Sequence, residues 1–593
     1  VTTRLKRQPH PAYPIEDRNP GLFSLFIVLL AVVSYGRIFF LRDVFWDDNC
    51  WLLSEFSSGN LEQFLNTGFY EMRRAPLGIF FYYFFSFYKI SGHAYLIWHS
   101  MNMIIQILTP VFLFFFLRNL FREKQLLSLF IAASFVVFPL DNTLPYLSAI
   151  NYRIAVLLAV ISFYLTERAF GRGNPWLFLI PALLISGLSY YVFMEAAIVF
   201  EPARLFVIGY IFHKKDIGGK SLIKRTLKYS LPFFILCVPL VLYKLTYKSY
   251  GIYGGKYKTD VFFFLRWREH AKLISIFLFY QWKVLAGYIT DAKIWTLLIS
   301  LLASGVSFFA VKRLAGMIKD DLSKSNTPVP HSFKAEFKRL RHYVGAVFSL
   351  GIAFLAPAVL FLEFARLEIG PGFNSSHFTL LQIGYAVIMG CILYTGYAVF
   401  VNSFGRVRLL SFSLALIIGS GIFFNNLNMD IYFNSWERQN RFWKSFTKRF
   451  PSLPQDSVFL MDIRDPYYFD TSDMDNTYDL EYAINLLYAD SDNPARFRRY
   501  RVLAAEEVGS DIWKYDCDQR SMEGIARATH YGKETLNPCE FVVVYYRNGE
   551  LLVNREIKEK YPDIPYRMWL GKDFPELPEP GSYPLRHKFG GLI

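Results

Sequence analysis

Residues Leu22 to Leu41 form a predominantly apolar run of roughly 20 residues, the length an α-helix needs to cross the hydrocarbon of a bilayer. Such a run leaves few folds open. Without water to bond to, its backbone N–H and C=O groups must pair within the segment, so the run is a helix and a chain with several is a helical bundle. Comparable runs recur at 95–117, 126–140, 153–170, 176–194, 196–212, 229–247, 293–311, 344–362, 378–401 and 409–424. The expected fold class is therefore an α-helical polytopic membrane protein with about eleven transmembrane helices. Composition agrees: 53% of the residues are hydrophobic and 19% aromatic, and the mean hydropathy of +0.24 is too high for an ordinary soluble globule. No small-residue cleavage site follows the first run, which reads as an uncleaved helix and not a signal peptide.

Lys and Arg near helix ends tend to stay on the cytoplasmic side, which sets the orientation. Arg4, Lys6 and Arg7 hold the N-terminus inside. The same rule places inside Arg118, Arg122 and Lys124, then Arg168 and Arg172, the cluster from Lys214 to Lys228, the segment "KRLAGMIKDDLSKSNTPVPHSFKAEFKRLRH", and Arg406 with Arg408. Counting 273–289 as a full span would put the most basic loop outside, so that segment is expected to be re-entrant or interfacial. The break between the runs ending at Met194 and starting at Ala196 is open. A pI of 9.3 does not point to nucleic acid, because the positive charge lies in short cytoplasmic loops as orientation requires.

Past Asn425 the composition changes. Residues 425–593 carry roughly 22 basic and 27 acidic side chains, so the net charge of +15 belongs to the membrane part. The expected division is 1–424 as a catalytic membrane domain, with a first exported loop at about 42–94, and 425–593 as a soluble exported domain of small α/β type. "SVFLMDI" and "EFVVVYY" read as buried strands, the second turning through "RNGE" into "LLVNREI", and "SWERQNRFWKSFTKRF" reads as a helix. Cys237 and Cys391 lie within spans and Cys50 beside two acids. Cys517 and Cys539 both fall in the exported domain, where a disulfide between them could persist.

Five stretches carry candidate chemistry. "FLRDVFWDDNCWLLSEF" places Asp47 and Asp48 at the outer mouth of the first helix; "EMRRAPL" brings Glu71, Arg73 and Arg74 into the loop after it; "HAYLIWHSMN" carries His93, His99 and Asn102 at the head of the second helix; "PLDNTLPYLSAINYR" and "YYVFMEA" place Arg153 and Glu195 at later outer helix ends. This order resembles the GT-C superfamily of polytopic glycosyltransferases, in particular the protein mannosyltransferase and aminoarabinose transferase-like group, strongly over about the first 210 residues and as topology beyond. The pattern departs from the family where Gln106 replaces a second His, Ala75 is inserted before Pro76, and Met194 stands where Lys is common.

The resemblance implies transfer of a sugar from a polyprenyl-phosphate donor, with inversion, to an envelope glycan such as lipopolysaccharide, a lipid or a protein. That reaction needs a base for the acceptor hydroxyl and positive charge for the departing phosphate. Asp47 or Asp48 meets the first need, with Asp48 favoured. Arg153, Arg73 and Arg74 meet the second, since a guanidinium grips phosphate through two oriented hydrogen bonds. Glu195, Glu71, His93 and His99 are orienting groups or ligands for a divalent Mg or Mn ion, although their spacing has no compact metal pattern. Plainer readings stand beside these: a solvated helix cap for the acid pair, snorkelling to headgroups for Arg153, packing for His99. The exported domain is expected to hold the acceptor while donor chemistry stays with the first loop. Loop lengths suggest a bacterial inner membrane with a cytoplasmic N-terminus and a periplasmic tail. A lipid-sugar flippase would show repeat symmetry and paired broken helices, which the sequence lacks. A polymerase or ligase would place its essential residues in a large late loop.

Overall fold

The computed structural model describes residues 20–42, 45, 47–70, 72, 74–89, 93–122, 125–170, 174–246, 282–323, 333–364, 376–404, 407–454, 456–464, 477–488, 500–505, 525–529, 532–536 and 541–561. Within them, ten helices are long and apolar enough to cross a membrane, and a shorter apolar one, Gln125–Val137, accompanies them. The chain is an integral membrane protein, helical apart from a small sheet near its C-terminal end.

The helices in order are α1 (Pro20–Tyr35), α2 (Asp47–Ser57), α3 (Leu61–Asn66), α4 (Ala75–Phe85), α5 (Ala94–Leu120), α6 (Gln125–Val137), α7 (Ile150–Ala169), α8 (Trp176–Leu188), α9 (Glu201–Lys214), α10 (Gly219–Thr246), α11 (Ile294–Ser323), α12 (Phe333–Phe364), α13 (Thr379–Phe404) and α14 (Val407–Arg449). Helices α2 to α4 belong to the segment between α1 and α5. At 13 residues α6 is too short to span alone and is seated among α1, α5 and α13. A Cβ at Gly390 or Gly421 would come within 2.5 Å of the backbone of Ile131 or 2.4 Å of that of Val137, so these glycines let α13 and α14 close onto α6.

The break left open at Met194 is real. Helix α8 ends in a π-helical turn, Ser189–Phe193; Met194 is extended (φ −158°, ψ 107°); a 3-10 turn, Glu195–Phe200, then leads into α9. Of the segment 273–289, residues up to 281 lie outside the described part; from 282 the chain makes a short helical turn and a 3-10 turn at Ile289–Asp291.

The sequence change at 425 is not a break in the backbone. Helix α14 runs on for 43 residues, from the last span into the C-terminal domain. The polar run "NNLNMD" that suggested a boundary is buried inside it, each amide bonded to a carbonyl at another element's end. Asn425 Nδ2 donates to Val136 O at 3.2 Å, Asn426 Nδ2 to Val33 O at 3.0 Å and Asn428 Nδ2 to Asn142 O at 3.1 Å. Val136 lies in the last turn of α6, where carbonyls have no partner within the helix, so the asparagines supply what the fold lacks there.

The C-terminal domain follows with β1 (Val458–Arg464), α15 (Thr477–Leu487), β2 (Arg501–Ala504), β3 (Ile525–Thr529), β4 (Gly532–Leu536), β5 (Phe541–Arg547), β6 (Glu550–Val553) and α16 (Arg555–Lys560). One sheet has the order β2-β1-β5-β6, with β1 parallel to β2 and β5 and β6 antiparallel to β5; β3 and β4 form a separate hairpin. The expected strands are all present. Asn548 and Gly549 turn β5 into β6 with φ of 52° and 84°, the left-handed pair that a two-residue hairpin loop needs.

This domain shares a hydrophobic core with the first loop. Trp51, Leu52 and Phe56 of α2 belong to the same buried cluster as Phe442 and Phe446 of α14, Ile484 of α15 and Val544 of β5, and α15 packs directly on α2. The tail and the loop after α1 are therefore packed as one body around this core. Cys517 and Cys539, with the disulfide expected between them, lie outside the described residues.

Candidate active site

Asp48 stands in the first turn of α2, where free N–H groups favour an acid. Its carboxylate is fully buried. Oδ2 accepts the Phe45 N–H at 3.1 Å, reaching back three residues as the acid of a capping box does, and the Leu147 N–H at 3.0 Å; Oδ1 accepts the Ser148 N–H at 2.6 Å. Burial pushes its pKa up to about 7 against the pull of these N–H groups. Asp47 opens the same helix, and its side chain lies outside the described part.

Leu147 and Ser148 lead into α7, which carries Arg153. That guanidinium is buried and turned into the bundle, so the snorkelling reading is excluded. Nε donates to Asp141 Oδ2 at 3.1 Å, Nη2 to Thr143 Oγ1 at 2.7 Å and Nη1 to Asn102 Oδ1 at 3.3 Å. Asp141 also accepts the Thr143 N–H at 2.8 Å and the Thr379 hydroxyl at 3.2 Å. Its partners thus come from the α6–α7 turn, α7 and the start of α13. A carboxylate between two apolar runs, as in "FPLDN", is a signal for such pairing, and the sequence reading passed over it.

Asn151, in the first turn of α7, donates to Phe193 O at 3.2 Å, two residues before Glu195. Glu195 in turn meets Arg74, with Nε and Nη2 at 3.1 and 3.0 Å from Oε1. Both side chains keep some solvent exposure, 28% for Arg74 and 19% for Glu195. Phe80 of α4 packs edge-on against Phe193 at 5.2 Å, which seats the Arg74 end of α4 on the α8–α9 break.

The singled-out stretches therefore converge. Three hydrogen-bonded contacts, Asp48 to Ser148, Asn151 to Phe193 and Glu195 to Arg74, are joined by short stretches of chain into one path, while Asn102 ties "WHSMN" to Arg153. His99 is buried on α5, one turn from Asn102. His93 is exposed at the head of α5, its ring edge-on to Tyr95 at 5.8 Å. Glu71 and Arg73 lie outside the described residues. Glu55, which the sequence reading did not single out, is buried on α2 and paired with Lys89; burial raises its pKa, with Lys89 opposing.

Among the described residues no three His, Cys, Asp or Glu side chains are grouped to hold a metal ion. Glu195 is engaged by Arg74 and His93 faces Tyr95.

No family model matches the chain, and no curated protein matches it. Among solved structures it matches the crystal structure of ArnT from Cupriavidus metallidurans in the apo state, at 10% identity over 86% of this chain and 96% of that one, with a TM-score of 0.33. Likeness at that score decides neither fold nor activity, which rest on the residues themselves.

Proposed function

We propose that this chain is an inverting glycosyltransferase of the GT-C type, moving a sugar from a polyprenyl-phosphate donor to an acceptor on the exported face of a bacterial inner membrane. The observation that supports this most is the convergence of acids from the first loop, Arg74, Arg153 and Glu195 at one end of the helical bundle. Lipid phosphate travels at the height of helix ends, so charge gathered there meets the donor without crossing hydrocarbon.

A carboxylate of the Asp47–Asp48 pair takes the proton of the acceptor hydroxyl as its oxygen attacks the anomeric carbon. The bond from that carbon to the phosphate oxygen breaks, and the phosphate leaves with the electron pair. One displacement inverts the centre, and no covalent intermediate is needed. Arg74 meets the phosphate from the exposed side with Arg73 beside it in sequence; Arg153 adds charge from behind, its direction fixed by Asp141. Glu195 orients Arg74. The exported domain bounds the acceptor, which is an envelope glycan, a lipid or a protein.

The reading is tested with purified protein in lipid nanodiscs, given polyprenyl-phosphate-linked sugars carrying a radiolabel together with an envelope extract that contains glycan, lipid and protein acceptors. Release of polyprenyl phosphate is expected, reduced roughly hundredfold or more by the double substitution Asp47→Asn/Asp48→Asn, the loss that removal of a general base brings. Failure of every donor to be consumed, or full activity of the double variant, would refute it.

A further inference from the structure

The two acids of the first loop cannot do the same work. A base must offer a lone pair to the acceptor hydroxyl, whereas Asp48 is fully buried and both its oxygens are taken by backbone N–H groups. Two of those donors belong to the stretch from 138 to 149, which has no ladder or helix of its own. Such a stretch has its shape set by the groups that bond to it. Asp141 at its start accepts the Thr143 N–H at 2.8 Å, the Asn142 carbonyl accepts the Tyr432 hydroxyl at 2.8 Å, and Asp48 holds its far end. Tyr146 closes the gap between these anchors, edge-on to both Phe45 and Tyr432.

We propose that Asp48 is a positioning residue: its carboxylate pins the turn between α6 and α7 to the acid helix, and so keeps Asp141 and Thr143 in place around Arg153. Asp47 is then the member of the pair left to act on the acceptor. The pin is a statement about backbone bonds alone; its effect on the donor rests on the transferase reading.

The variant Asp48→Asn replaces one accepting oxygen with an NH2 group, which must face either the Ser148 N–H or those of Phe45 and Leu147. Asp48→Glu keeps the acid but moves both oxygens outward by a methylene. Hydrogen exchange of the full-length protein in nanodiscs at pH 8 reads the pin directly. The amides of Leu147 and Ser148 are expected to exchange roughly tenfold faster or more in either variant, as the loss of a charge-assisted hydrogen bond implies, while amides in the middle of α5 and α7 do not change. Unchanged exchange at 147 and 148 would overturn the proposal.

Binding of polyprenyl phosphate alone supplies the second measurement. Both variants are expected to bind it more weakly, and the loss is expected to shrink when Arg153→Lys is already present, because the two substitutions disturb one cage. Loosened amides with unchanged affinity would show a pin that positions nothing, and would overturn the positioning role. If Asp48→Asn does not yield monodisperse protein, Asp48→Glu carries both measurements. A wild-type protein that binds no polyprenyl phosphate would sink the transferase reading and leave the exchange to decide the pin.

Discussion

Arg74 and Glu195 stand 121 residues apart in sequence and meet as an ion pair, the guanidinium placing both Nε and Nη2 on a single carboxylate oxygen. The pair joins the segment between α1 and α5 to the break between α8 and α9. It is partly exposed, so its value to stability is small, about 0–1 kcal/mol. A contact of low energetic worth that spans this much sequence serves geometry.

Glu195→Gln is accordingly expected to leave the thermal midpoint within a few degrees of the wild type while weakening the binding of polyprenyl phosphate. The charge-swapped protein Arg74→Glu/Glu195→Arg restores the pair but not its direction. If the swapped protein binds like the wild type, the pair is only a strut.

Asp141 and Arg153 form the opposite kind of pair, with both partners buried. Breaking it from one side leaves an uncompensated charge, so Asp141→Asn and Arg153→Met are each expected to cost about 3 kcal/mol or more. The double variant Asp141→Asn/Arg153→Met removes both charges and is expected to be more stable than either single one. Thermal unfolding in detergent measures all three; additive losses would show that the two groups do not depend on each other.

Asp48 makes stability depend on pH in an uncommon direction. Its folded pKa of about 7 lies above the value near 3.9 of an unfolded carboxyl, so the native state holds the proton more tightly. The contribution is complete below about pH 4 and is lost as pH rises through about 7, amounting to as much as ~4 kcal/mol. Glu55, raised by burial on the same helix, acts in the same sense. Asp48→Asn should flatten the fall of the thermal midpoint between pH 4 and 8; an unaltered slope would contradict this assignment.

Cutting the chain after residue 424 removes half of the buried residues of the core in which α2 is embedded. The truncated protein is expected to lose polyprenyl-phosphate binding together with protection of the α2 amides, even if the remaining spans stay assembled. Donor binding at wild-type affinity would mean that α2 holds its place without the tail.

The spans were legible in the sequence because bilayer thickness fixes their length, and apolar runs of that length have few other readings. The strands at 458 and 541 were legible for a related reason, being short β-branched and aromatic runs bounded by turn residues. The continuity of α14 was not. A run such as "NNLNMD" looks like the end of a helix until the carbonyls of Val136, Val33 and Asn142, hundreds of residues away, are seen to accept from it. The same limit applies to the site. The stretches that converge could be picked out by residue type, but the different surroundings of Asp48 and Arg74 depend on Ser148 and Glu195, which local spacing does not connect to them. Asp141 was missed because an acid after a proline-containing turn resembles surface polarity unless its arginine is known.

Helix α14 has one more effect, on height. Forty-three residues at ~1.5 Å each make a rod about 65 Å long, roughly twice the hydrocarbon thickness it has to cross. Its first part is wedged into the bundle at Gly421 and Asn425, and its last part is locked into the sheet by Phe442, Trp443 and Phe446. With no hinge between the two, the clearance between bilayer and sheet comes in fixed steps: one residue inserted near 435 would lift the tail by ~1.5 Å and swing it by about 100°. The rod is therefore a gauge, and the height of the sheet above the bundle is counted in residues.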